Sequence, residues 1–375
     1  MIKKGFICCY SLSFLLLCGC AEPKVLDKVG LITTMGFDIG KNGSFLGTLV
    51  GLKIDTNSQK DVVILDSESL SIRGIRSNAD NQTSKRLTSG QLRVILYGEE
   101  LLKNGKIRIA PILTSDPAIS DMTYIAMVDG RARDLLHVKS SHIPDIGTHI
   151  YRLMDQNTKS KMMPLSTIHE VLHDHYIIGK DPVLPILSKL DNNGVVYKGV
   201  AIFKGGKLVG KLNTEQSFYI MLINDKYKSG TKDIIIKSDS SKLKGGQGLT
   251  NKTVASLDSI RSRSNIKLIN KEKLEYEIEI KLSGRMLEIN SPIDIGNPKN
   301  MKLIEKEIKK SMKKDIEQLI SFCQSKNSDV FGFGDIYRSS VRHSNLTEEK
   351  WYKMYKNAKV NVKVDFVVIR TGLND

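Results

Sequence analysis

The chain has 375 residues, 40% of them hydrophobic, and a formal net charge of +16. That length exceeds what one ordinary core fills, so two or three domains are expected, and the hydrophobic content excludes a disordered chain. The basic charge suits an anionic surface, but no aromatic-interleaved arginine patch appears, and arginine is sparse beside lysine, which argues against nucleic acid as a partner.

The N-terminus carries the first motif. Lys3 and Lys4 precede an apolar stretch from Phe6 to Leu17, shorter than the roughly 20 residues of a membrane-spanning helix. A short basic segment followed by a short apolar one is the pattern of a secretory signal. In Leu17-Cys18-Gly19-Cys20 a leucine stands three places before Cys20 with two small residues between, which matches the bacterial lipobox. Signal cleavage is therefore expected between Gly19 and Cys20, with a diacylglycerol on the Cys20 thiol anchoring the body to a bilayer. Of the other cysteines, Cys8, Cys9 and Cys18 fall in the signal and Cys323 stands alone, so no disulfide framework or cysteine zinc site is expected in the folded part.

Beyond the signal, Val29–Gly36 and Ser44–Ile54 read as strands joined by the turn Gly40-Lys-Asn-Gly43. Leu92–Tyr97 reads as a buried strand leading into a short helix at Glu99–Lys103, and Tyr124–Val128 as another buried strand. Strands separated by helices imply a sheet with helices packed on it. Asp181-Pro182 and Leu184-Pro185 look like a connector, which puts a boundary near 191. Val195–Phe203 and Lys207–Leu212, around Gly205-Gly206, form a hairpin, and Ser238–Gly248 reads as a loop. Leu274–Leu282 and Val360–Val368 alternate apolar and polar residues as half-buried strands do. If they pair, Glu275, Glu277 and Glu279 would face Lys359 and Lys363. Between them, Asn297-Pro298 caps a helix whose apolar stripe runs from Ile304 through Ile308, Met312, Ile316, Leu319 and Ile320 to Cys323. Cys323 on that stripe is a small core residue. Lys309, Lys310, Lys313 and Lys314 lie on the opposite, solvated face. The expected architecture is α+β: three mixed α/β domains with central, largely antiparallel sheets and packed helices. The expected divisions are a signal peptide at 1–19, then domains at 20–190, 191–262 and 263–375.

One motif suggests chemistry. His169-Glu170-Val-Leu-His173 fits the helical H-E-x-x-H pattern, in which two histidines hold zinc and the glutamate acts as general base. A catalytic zinc needs a third protein ligand. The extended motif would put Gly and His where this chain has Tyr176 and Gly179. After Glu170 no glutamate occurs before Glu215. A lipid-anchored metalloprotease is thus a weak rival, and so is a solute-binding lipoprotein, which would call for two similar lobes where the chain shows no repeat. No catalytic residue, metal or cofactor is expected. In Asp329-Val-Phe-Gly-Phe-Gly-Asp335 the two glycines, Gly332 and Gly334, are expected to form a tight structural turn anchored by Phe331 and Phe333.

Several blocks resemble one family, the GerC (Ger(x)C) type C subunit of bacterial spore germinant receptors. They are the lipobox at Cys20, Gln91–Leu101, Asp116–Tyr124, the hairpin Gly199–Gly210, Asp329–Asp335, Trp351, and Val360–Val364 through Arg370–Gly372. The chain departs from the family pattern just after Cys20 and over residues 55–64. The resemblance implies a non-enzymatic lipoprotein on the outer face of the inner spore membrane. It would act beside two membrane-embedded subunits, A and B, to trigger germination in response to nutrients.

Overall fold

A computed structural model of the chain describes residues 29–53, 61–105, 116–191, 194–224, 227, 230–236 and 253–369. Gly19 and Cys20, the stretch Ser238–Gly248 and Arg370–Gly372 lie outside the described residues. Among the described residues, the strands form two sheets.

The first sheet has nine strands: β1 (Val29–Ile39), β2 (Phe45–Lys53), β3 (Asp61–Ser69), β4 (Arg86–Thr88), β5 (Val94–Gly98), β6 (Tyr124–Val128), β7 (Val183–Lys189), β8 (Val195–Lys204) and β9 (Lys207–Asn213). They follow the order β3-β2-β1-β5-β6-β7-β8-β9, and the short β4 pairs with the start of β1. Antiparallel hairpins flank a parallel centre of β1, β5, β6 and β7. That centre is buried on both faces. Ile95 and Tyr97 of β5 point into one core with Ile125 and Met127 of β6, while Val94, Leu96, Ala126 and Val128 point into the other. Period-two alternation with both sides apolar reads as a continuous hydrophobic run, as expected of parallel strands.

Helices cover both faces. The first core takes α1 (Ile72–Asp80), α2 (Glu99–Lys103) and, after the later helices in the chain, α5 (Ile168–Tyr176). The second takes α3 (Ala132–Leu136) and α4 (Ile146–Lys159). The segment around Pro185, read from the sequence as a connector, is instead β7. Pro185 is tolerated because parallel pairing with β6 begins only at Ile186 and Leu187, after the residue that lacks an N–H.

The second sheet is β10 (Lys232–Ile236), β11 (Thr253–Asn270), β12 (Glu275–Ile289) and β13 (Lys359–Val368), in that order. β12 and β13 run parallel with Glu275 opposite Lys359 and Glu279 opposite Lys363, and Lys363 Nζ sits 2.8 Å from Glu277. α7 (Pro298–Lys326) begins at Asn297, whose side chain accepts from the Lys299 N–H at 3.0 Å. Its stripe from Ile304 to Cys323 is buried. α6 (Thr214–Asn224), apolar on every side from Phe218 to Ile223, is a core helix; α8 (Phe333–Ser340) and α9 (Glu348–Tyr355) complete this third core.

The β8–β9 hairpin joins the two bodies. Ala201 and Phe203 lie in the first core of the nine-stranded sheet, while their neighbours Val200 and Ile202 lie in the core of the second sheet. The break expected near 191 thus falls between two strands of one sheet, and β11 runs through the position expected for the break at 262.

Candidate functional site

A dense polar site lies where the two bodies meet, around the Asp329–Asp335 segment. Asn327 ends α7 in the left-handed conformation and Gly332 starts α8 at a φ of +75°. The turn between them folds over the Asp329 carboxylate, which is fully buried. One oxygen accepts the N–H groups of Gly332 at 2.9 Å and Phe333 at 3.1 Å. The other accepts the Gly334 N–H at 2.9 Å and the Trp351 indole Nε1–H at 3.0 Å.

The partner across the junction is Asp181, 3% exposed, in the loop between α5 and β7. The Asp181 N–H donates to the Asp329 carbonyl and the Asp329 N–H to the Asp181 carboxylate, both at 2.8 Å. Asp181 Oδ1 also accepts the Tyr352 hydroxyl at 2.6 Å and the Gly205 N–H of the β8–β9 turn at 3.3 Å. Next to it the backbones of Gly179 and Gly334 touch. A Cβ added at Gly334 would lie 2.4 Å from Gly179 Cα and 2.6 Å from the Trp351 ring. The Asp335 N–H donates to the Gly179 carbonyl at 3.2 Å.

Burial pushes the Asp329 carboxyl up to about 7, opposed by the Gly334 N–H and reinforced by the charge of Asp181. Burial likewise pushes Asp181 up to about 6, against the Tyr352 hydroxyl that favours its charged form. All four carboxylate oxygens already accept protein donors. Such a pair works as a clasp between the bodies, not as an acid and base presented to a substrate.

The structure places Gly332 and Gly334 in this clasp, with Phe331 and Phe333 buried beneath it and Phe333 packed 4.9 Å from Tyr276. Asp181, Gly179 and Tyr352 were not singled out by sequence. Asp-Pro reads as a turn, and no local pattern says that its carboxylate is buried. His169 and His173 stack at 6.3 Å on α5, with His173 bonded to Asp174 at 3.1 Å. Among the described residues no three His, Cys, Asp or Glu side chains converge as a metal site would need. Burial pushes the Cys323 thiol up to about 12, so it stays protonated in the core. On the lysine face of α7, Lys309 pairs with Asp365 at 2.8 Å and Lys313 with Glu317 at 3.7 Å.

Two sheets joined by a shared hairpin and a buried acidic clasp define an α+β multidomain protein. Its residues 22–189 match the family model described as the spore germination protein N-terminal domain, and residues 198–372 match the one described as spore germination B3/GerAC like, C-terminal. The chain belongs to this GerC family of spore germination proteins. It is 26% identical over 360 residues to the spore germination protein GerQC of Bacillus cereus, with 96% of each chain covered. It is 21% identical to the spore germination protein KC of Bacillus subtilis (strain 168), over 100% of this chain and 98% of that one. The crystal structure of the GerBC protein shares its fold, with a TM-score of 0.54 at 15% identity, over 90% of this chain and 97% of that one.

Proposed function

We propose that the chain is the lipid-anchored C subunit of a nutrient germinant receptor, a non-enzymatic component acting beside the A and B membrane subunits. The observation that carries this reading is the lipobox ending at Cys20, immediately ahead of the family's N-terminal domain at residue 22. Among the described residues no helix is long and apolar enough to cross a membrane. In this reading a diacylglycerol on Cys20 is the attachment, and two acyl chains anchor far more firmly than one. The tether keeps the body at the outer face of the inner spore membrane, within reach of its membrane-embedded partners. Cleavage removes Lys3 and Lys4 from the 57 basic residues and leaves all 41 acidic ones, so the body's charge of 55 − 41 = +14 favours an anionic bilayer beneath it.

The test is Cys20→Ala in the native host, read by membrane fractionation and by the response of spores to nutrients. The variant should leave the membrane fraction, and the response should be lost. A released protein with an unchanged response would overturn the tethered-receptor reading.

A further inference from the structure

A cavity of about 320 Å³ opens on the α1 side of the nine-stranded sheet, far in sequence from the clasp. Met35, Phe37 and Leu49 of β1 and β2 line it from the sheet, Ile72 and Ile75 from α1, and Ile119 from the segment before β6. An apolar hollow with a few polar groups is the usual form of a small-molecule site. A cavity of ~150 Å³ holds a benzene ring. This one therefore has room for a ring with a short chain.

The polar lining sets the ligand class. Arg76 Nη1 lies 2.6 Å from one Asp116 oxygen, and the other Asp116 oxygen accepts the Ala118 N–H at 3.0 Å. The charges of this pair balance within the pair. Arg73, exposed at the rim, is engaged with a partner of its own and adds no demand for an anion. A ligand charge of either sign would enter the hollow without a free counter-ion, and burying such a charge is costly. A neutral head escapes that cost. Ser89, 1% exposed, sets the sense of its hydrogen bond. The Ser89 hydroxyl accepts from the same Arg76 nitrogen at 3.2 Å, and among the described residues its own hydrogen meets no acceptor. A buried donor without a partner carries a standing penalty, which a ligand oxygen would relieve. Both Asp116 oxygens are already taken, so the site offers a donor rather than an acceptor.

We infer that this cavity binds a small, neutral, apolar molecule with an accepting oxygen, such as a ketone or an ester, its body against Phe37 and Met35 and its oxygen at Ser89. The inference does not depend on the receptor reading, because binding is measured on the protein itself. The probe is 4-phenylbutan-2-one, compared with 4-phenylbutan-2-amine and 3-phenylpropionate, which carry a similar body with a cationic and an anionic head. The full chain, labelled with carbon-13 at its methionine methyls, is held in nanodiscs with empty nanodiscs as reference. Titrations follow the Met35 methyl resonance, identified by its loss in Met35→Leu. The ketone should shift that resonance and bind at least about tenfold more tightly than either ion. Ser89→Ala should weaken the ketone about fivefold, as loss of one neutral hydrogen bond implies, and leave butylbenzene, which has no acceptor, unchanged. Ile119→Trp should abolish binding by filling the hollow. Ile119 is only half-buried, so this variant decides the matter even if Ser89→Ala fails to fold. An ion bound as tightly as the ketone, ketone affinity unchanged in Ser89→Ala, ketone still bound by Ile119→Trp, or a Met35 methyl unmoved at millimolar ketone would each overturn the inference.

Discussion

Gly332 and Gly334 stand two residues apart and serve different physical ends. Gly332 needs its positive φ, and a Cβ there would meet only the Lys180 side chain, at 3.5 Å. Replacing it with alanine should cost about 1–2 kcal/mol, the ordinary penalty of the left-handed conformation. Gly334 needs space, because its neighbours are the Gly179 backbone and the Trp351 ring, neither of which can move aside cheaply. Gly334→Val should cost more than about 3 kcal/mol, since it parts the two bodies where their backbones touch. Thermal melts of both variants check this. Equal losses would show that conformation, not contact, governs the turn. The two glycines were legible in the sequence as a turn. Which one makes the contact was not, because Gly179 lies far away along the chain.

At the scale of the element, the β8–β9 hairpin decides how the bodies are coupled. Successive residues of one strand point to opposite faces, so Ile202 and Phe203 bury themselves in different cores. Truncating either to alanine should cost about 2–5 kcal/mol. Both variants should lower one shared calorimetric transition; two transitions moving separately would show that the bodies unfold independently. The ladder between β12 and β13 contributes less, because Lys363 and Glu277 are partly exposed and such pairs are worth roughly 0–1 kcal/mol. Alternation in both strands was plain in the sequence, as was the stripe of α7. β7 was not legible, since Pro182 just before it and Pro185 within it suggest a connector and its pairing to β6 is long-range.

At the scale of the whole molecule, the clasp of Asp181 and Asp329 makes the junction sensitive to pH. Both carboxyls titrate higher in the folded chain than the ordinary aspartate value of ~3.9. The folded state therefore holds protons that the unfolded state releases, and stability falls as pH rises across that window. The contribution is complete below about pH 4 and lost as pH passes through the folded values of about 6 and about 7. The melting temperature should thus drop more between pH 5 and pH 8 in the native chain than in Asp329→Asn. Parallel pH profiles for the two proteins would contradict this. Asp329→Asn should also be less stable throughout, because an amide cannot accept from all four donors that surround the carboxylate.

The residues alone carry the lipobox pattern at Cys20, the alternating strands of the second sheet, the capped helix after Asn297 and the blocks that mark the α+β family. Each of these is written in residues close together in the chain, where periodicity and motif spacing act. Folding alone settles that one hairpin serves two cores and that Asp181 meets Asp329 across 148 residues of chain. It also brings Ser89 and the pair of Arg76 and Asp116 to an apolar hollow. Burial and long-range contact set these features, and neither leaves a mark in local pattern.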